Sequence, residues 1–212
     1  MEKFRTLTGA AVPLLMDDVN TDQIIPSAYL KDLNADLEAG FLAYMRRQPD
    51  GNRNLDFVLE KPQYRRAPIL VVGSNFGCGS SREHAVWALR AFGVRCVIGH
   101  HPAETFRENC LKNGVLPIVL DEKQMGILVQ QVTQADGNQP FTVDLEACEV
   151  RGPGDYRCRF EMAAHERTAL LEGLDDIGLT LKHQEEIAAW EARIAKERPF
   201  MQASIARLKA AP

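Results

Sequence analysis

Three glycines, two hydroxyls and a guanidinium fall within Gly73-Ser74-Asn75-Phe76-Gly77-Cys78-Gly79-Ser80-Ser81-Arg82-Glu83-His84. These residue types suit an anion. A glycine-rich turn leaves backbone N–H groups free, and where it opens a helix they lie at the positive end of the dipole. Ser80 and Ser81 add hydroxyl donors, and the planar fork of Arg82 matches a carboxylate bidentately. Ser80 with Glu83 also spells a capping box, whose role is only to start a helix. A cation in the first turn opposes the dipole, so Arg82 is poorly placed for helix stability alone and points to a negative ligand. His84, just inside the predicted helix, reads as a local hydrogen-bonding residue rather than as a reacting group.

The flanking elements explain how such a turn is held. Pro68 to Gly73 is an apolar run that predicts a buried strand, and Ala85, Ala88, Leu89 and Phe92 recur at helical spacing over a predicted helix from 81 to 92, closed by Gly93. A strand at Cys96–Gly99, a helix over about 103–113 closed by Gly114 and a strand at Leu116–Leu120 follow. Strands alternating with helices imply a parallel sheet, whose ligands collect at the carboxyl ends of the strands. The glycine turn falls at such an end.

Elsewhere the pattern is less regular. Leu7 to Leu15 reads as one strand interrupted by Gly9 and Pro13, and residues 16–23 as a polar loop. Residues 31–54 are polar and mixed, ending in Pro49-Asp50-Gly51-Asn52, and read as a mobile excursion. After a short helix over about 122–131, strands at Phe141–Val150 and Asp155–Met162 flank the turn Arg151-Gly152-Pro153-Gly154, a hairpin signal. Helices over about 163–172 and 182–197 complete the pattern, the latter with Ile187, Trp190 and Ile194 on one face.

Whole-chain properties narrow the function. With 212 residues there is room for one sizeable core, and the net charge of -4 gives no basic excess for nucleic acid. No apolar run is long enough to span a bilayer and the N-terminal residues lack a signal-peptide segment, so a cytoplasmic protein is expected. Cys78, Cys96, Cys110, Cys148 and Cys158 are odd in number and contain no Cys-x-x-Cys pair, which argues against a disulfide framework, a zinc site or an iron-sulfur cluster held by this chain. His100-His101-Pro102 reads as a plain loop, since no third metal ligand stands at suitable spacing. The lysine of a phosphate-binding P-loop is missing after Gly79, and no Gly-x-Ser-x-Gly surrounds Ser80 or Ser81, so neither a nucleotide cradle nor a serine hydrolase fits.

The turn from Gly77 to His84 closely resembles that of the swivelling domain in the aconitase superfamily. Asn20-Thr21-Asp22-Gln23-Ile24-Ile25-Pro26, Tyr29-Leu30-Lys31, Asn109 to Ile118 and Gly173 to Thr180 extend the likeness over nearly the whole chain, to the small-subunit family of bacterial 3-isopropylmalate dehydratases. The resemblance implies an α/β fold: an aconitase-type β/β/α swivelling domain over 1–181 with a mostly parallel sheet, a βαβαβ core, a mobile loop at about 31–54, a C-terminal hairpin and helices, and a helical extension over 182–212. It also implies interconversion of 2-isopropylmalate and 3-isopropylmalate in leucine biosynthesis. The catalytic partner would be a separate large subunit that holds a [4Fe-4S] cluster, leaving no cofactor or metal on this chain. By the same resemblance Ser80 is the general base and Arg82 assists it. Ser81 and Arg82 hold substrate carboxylates, Asp22 is an acidic substrate-binding residue facing the active site, and Tyr29, Leu30 and Lys31 sense the substrate's side chain. A dehydratase of related alkylmalates, such as 2-methylmalate or dimethylmalate, and a noncatalytic assembly subunit stay open as alternatives.

Overall fold

The computed structural model describes residues 1–31 and 35–200. Two compact units divide after Gly173, and the first, Met1–Gly173, holds both core clusters described below. Among the described residues, eight strands form two four-stranded sheets. The parallel sheet joins β2 (Ala11–Leu14), β3 (Ile69–Val72), β4 (Cys96–Gly99) and β5 (Leu116–Val119) in that order. The antiparallel sheet joins β1 (Thr6–Gly9), β6 (Phe141–Asp144), β7 (Glu149–Arg151) and β8 (Arg157–Arg159).

Both faces of the parallel sheet are covered, which is why its strands read as unbroken apolar runs. Val12, Leu70, Val72 and Val97 point into one core with Ala85, Val86, Leu89 and Phe92 of helix α4 (His84–Phe92), and with Phe106 and Cys110 of α5 (Glu104–Lys112). Ala11, Ile69, Val71 and Ile98 point the other way, against Leu128 and Val132 of α6 (Glu122–Ala135) and against Phe141, Val143 and Val150 of the second sheet. The expected βαβαβ core is present as β3, α4, β4, α5 and β5.

Several boundaries differ from the sequence reading. The run from Leu7 to Leu15 is two strands in two sheets: Leu7 pairs with Val143 and Val12 with Leu70, so the chain changes sheet at Ala10. The first strand of the expected hairpin folds back on itself through Leu145–Cys148, where Cys148 takes a left-handed φ of 50°, and Arg151 then pairs with Arg157 across the anticipated turn. Thr21–Ile24, expected within a polar loop, is a short helix (α1) with a complete capping box from Asn20 and Gln23.

The described part of 31–54 is folded onto the core; residues 32–34 lie outside the described residues. Short helices α2 (Leu37–Gly40) and α3 (Ala43–Arg46) fully bury Phe41 and Leu42 between them. Glu60 locks the segment from below, accepting from Arg46 Nε at 2.7 Å and Arg53 Nε at 2.5 Å with only 2% of its side chain exposed. Burial pushes the Glu60 carboxyl up, but the hydrogen bonds and charges of the two arginines outweigh this and hold it below the usual carboxylate range. A mixed sequence hid this, because the apolar residues serve two one-turn helices too short to show a period.

Helix α7 (Ala164–Glu172) ends the first unit with Gly173 as its left-handed cap. In the second, α8 (Asp176–Leu181) is capped by Asp175, whose side chain accepts from the Gly178 N–H, and α9 (Gln184–Glu197) carries Ile187 and Trp190 exposed. Of the helical extension expected over 182–212, residues 201–212 lie outside the described residues. No described helix is long and apolar enough to cross a membrane.

Candidate active site

The chain leaves β2 and β3 side by side, and the two loops stay paired beyond the sheet. Asp18 N–H donates to Ser74 O at 2.9 Å, Gly77 N–H to Val19 O at 2.7 Å and Thr21 N–H to Cys78 O at 2.8 Å. Asn20 and Cys78 form a parallel bridge. Side chains reinforce the pairing, with Asp17 accepting from the Ser74 N–H and Asp18 from Asn75 Nδ2. The 16–24 segment and the glycine turn are therefore one structure at the carboxyl end of the sheet, where open parallel sheets collect ligands.

Phe76 anchors the turn, fully buried and edge-on to Phe106 with ring centroids 5.4 Å apart. Gly77 must follow it, because its φ is 82° and a Cβ there would overlap the Phe106 ring. Gly79 also takes a left-handed φ, 102°, and delivers Ser80 against α1. Behind the turn, buried Asn109 donates to Ser81 O at 3.1 Å, and Asn113 donates to Glu83 at 2.7 Å while accepting from Trp87 Nε1 at 3.0 Å.

The capping box expected of Ser80 and Glu83 is not formed. Helix α4 begins at His84, without a side-chain cap. Ser80 Oγ instead lies 2.8 Å from Thr21 Oγ1 and accepts from Arg82 Nε at 2.8 Å, while Glu83 is taken by Asn113. Arg82 consequently precedes the helix rather than opposing its dipole from the first turn. Its other end, Nη2, donates to Asp22 Oδ1 at 2.5 Å. The guanidinium thus bridges Ser80 and Asp22, with about a third of its side chain exposed to receive a ligand. Cys78 lies beside the start of α1, its carbonyl accepting from the Thr21 N–H and its thiol turned to Asp18 O at 3.6 Å.

The structure gathers Ser80, Arg82 and Asp22 into one hydrogen-bonded set. Ser81 is exposed beside it, fixed through its backbone by Asn109. Tyr29, Leu30 and Lys31 lie elsewhere on the turn after α1, lining a cavity of about 300 Å3 with Leu37, His84 and Trp87. His84 packs against Trp87 with ring centroids 4.5 Å apart and the planes tilted by 54°. Sequence reasoning missed Thr21, Asn109 and Asn113 as site residues. Thr21 had one usable signal, a hydroxyl directly before Asp22.

Hydrogen-bond donors converging on a serine oxygen favour its anionic form, and a guanidinium beside it offers N–H groups to a carboxylate. The arrangement can therefore take a proton from a carbon acid bearing carboxylates. His100 Nδ1 meets Leu120 O at 2.7 Å and the His101 ring packs against His100 at a tilt, and no group of three or more His, Cys, Asp or Glu among the described residues could hold a metal ion. Burial raises the Cys96 and Cys110 thiols well above the usual range, leaving them protonated packing groups.

Residues 1–123 match the model of the aconitase C-terminal domain, and residues 176–204 match that of the C-terminal domain of the 3-isopropylmalate dehydratase small subunit. A 3-isopropylmalate dehydratase small subunit of Mesorhizobium japonicum is 49% identical over 201 residues, covering 94% of this chain and all of the relative. One from Jannaschia sp. is 49% identical over 202 residues, again covering the whole relative. The crystal structure of a 3-isopropylmalate dehydratase from Methanocaldococcus jannaschii superposes with a TM-score of 0.59 over 88% of this chain and 99% of that one; at 24% identity the likeness concerns the fold. With two family models and full-length relatives in agreement, the chain belongs to the family of 3-isopropylmalate dehydratase small subunits.

Proposed function

We propose that this chain is the small subunit of a cytoplasmic, heteromeric hydro-lyase that interconverts 2-isopropylmalate and 3-isopropylmalate in leucine biosynthesis. Ser80 is its general base and Arg82 its carboxylate clamp. The observation that carries the assignment is the pair of contacts on Ser80 Oγ, from Arg82 Nε and Thr21 Oγ1, both at 2.8 Å. A serine is a poor base in water, so a pocket that uses it must stabilise the alkoxide with prearranged donors. Ser80 takes the proton from the carbon beside a substrate carboxylate. The C–H electron pair becomes the carbon-carbon double bond as the neighbouring C–O bond breaks and hydroxide departs. A [4Fe-4S] cluster held by the large subunit would supply Lewis acidity at the departing hydroxyl. On rehydration the hydroxyl adds to the carbon that lost the proton, and Ser80 gives its proton to the carbon that lost the hydroxyl, so that the isomer rather than the starting acid is formed.

Arg82 keeps N–H groups for a substrate carboxylate while Asp22 fixes its far end, and Ser81 offers a further hydroxyl at the rim. The cavity beside Tyr29, Leu30 and Lys31 is the place for contacts that distinguish one alkyl group from another. Turnover is measured for this chain alone, for a cluster-bearing large subunit alone and for the two combined, by the absorbance of the unsaturated intermediate. The combined sample is expected to be active and each part silent; activity from this chain alone overturns the shared site. A panel of alkylmalates on the combined sample then ranks 2-isopropylmalate against 2-methylmalate and dimethylmalate.

A further inference from the structure

We infer that Thr21 is a positioning residue for the base: its hydroxyl donates to Ser80 Oγ when that oxygen carries the negative charge. The inference rests on the reading of Ser80 as base given above. Thr21 is one of few buried polar side chains among the described residues, 2% exposed. Its Oγ1 accepts the Ser80 backbone N–H at 3.2 Å and lies 2.8 Å from Ser80 Oγ. A hydroxyl has one proton to give and two lone pairs to receive. While both side chains are neutral, either oxygen of the pair can donate. Once Ser80 has lost its proton, only Thr21 can. The contact is therefore strengthened by ionisation of Ser80, which is what a base of this kind requires.

Thr21 cannot easily turn away. Its own N–H is tied to Cys78 O at 2.8 Å, and it is the first residue of α1, whose capping box fixes the preceding Asn20. With Arg82 Nε, and with the Arg82 backbone N–H at a longer 3.5 Å, it forms a cradle for the Ser80 oxygen set before any substrate arrives. During dehydration the substrate proton passes to Ser80 Oγ, its C–H electron pair enters the double bond, and the Thr21 contact reverts to one between two neutral hydroxyls. No atom of Thr21 is transferred.

The charged and titratable groups around Ser80 are engaged with one another. Arg82 lies between Ser80 and Asp22, Asp17 accepts from the Ser74 N–H, Asp18 from Asn75, and the Cys78 thiol meets the Asp18 carbonyl. At and on the helices packed behind, Glu83 is held by Asn113, His84 packs at a tilt against Trp87, and Arg107 pairs with Glu104 and Glu166. A shift of the acid limb that appears on removing the Thr21 hydroxyl and is absent from Thr21→Ser tracks the contact between Thr21 and Ser80.

The test uses the complex with the large subunit and compares Thr21→Val, Thr21→Ala, Thr21→Ser and Ser80→Ala. Thr21→Val is expected to lower kcat about a hundredfold near neutral pH with little change in KM, the usual effect of losing one donor to a developing oxyanion. Its acid limb moves up by about two pH units, so activity recovers in alkali. Thr21→Ser keeps the hydroxyl and stays within a few-fold of the parent. A uniform loss at all pH values, an unchanged profile, or a serine variant as impaired as valine overturns the inference. So does failure of both the valine and alanine variants to fold, judged by urea unfolding of the isolated chain. Should Ser80→Ala itself retain turnover, the reading of Ser80 as base fails; if it is silent while Thr21→Val is normal, only the role of Thr21 fails.

Discussion

Arg82 reaches back along its own chain to place Nε 2.8 Å from Ser80 Oγ, and holds this pose by giving Nη2 to Asp22. A guanidinium suited to a carboxylate thus also sets the surroundings of the Ser80 hydroxyl. The glycines make the geometry possible, because Gly77 and Gly79 turn the chain through left-handed conformations immediately before Ser80.

Replacing Arg82 by lysine keeps the charge and removes the fork. Lysine cannot bond Ser80, Asp22 and a carboxylate through separate coplanar N–H groups. Loss of one charge-assisted hydrogen bond is worth about 1.5–3 kcal/mol, so KM is expected to rise roughly tenfold to a hundredfold, with kcat falling as well. Steady-state kinetics of the complex check this, and an unchanged KM counts against the clamp.

Gly77→Ala combines a left-handed backbone with a collision against the buried Phe106 ring. The expected loss of stability is about 2–4 kcal/mol, the sum of a modest backbone cost and an overpacking cost. Urea unfolding of the isolated chain measures it. A change below about 1 kcal/mol would mean that the turn can move off Phe106.

The parallel core was legible because β3 and β4 are buried on both faces, which demands continuous apolar runs such as Ile69-Leu70-Val71-Val72. Helix α4 was legible from its apolar spacing and from Gly93 behind it, and α5 from the closing Gly114. What escaped depended on partners distant in sequence. Ser80 and Glu83 satisfy the local pattern of a capping box, yet Thr21 and Arg82 engage the hydroxyl and Asn113 the carboxylate. The switch of sheets at Ala10 left no mark either, since both halves of the run are extended and only their partners, Phe141–Asp144 and Ile69–Val72, differ. Ser80, Arg82 and Asp22 were nameable from the family likeness; the bridge among them required coordinates.

Glu60 sets a pH dependence of stability. Its pKa in the folded chain lies below the ordinary value of 4.5, so the stabilisation is complete above the unfolded pKa and is lost as the pH falls through the folded one. Glu60→Gln is expected to cost about 3 kcal/mol at neutral pH, because Arg46 is left largely buried without its counter-charge. The variant should also lose less stability than the parent on acidification from about pH 6 to about pH 3, the range that brackets a carboxylate titration. Urea midpoints across that range decide it, and parallel acid limbs would show that Glu60 is not the group responsible.

The most direct measurement is exchange of the substrate's abstractable C–H proton with deuterated solvent in the complex with the large subunit, comparing the parent chain with Ser80→Ala. General-base removal is worth on the order of 10²–10⁴ in rate, so the alanine variant should bind the large subunit normally and incorporate deuterium at least about a hundredfold more slowly. Incorporation at the parent rate by a fully assembled Ser80→Ala complex would contradict the assignment of Ser80 as the base.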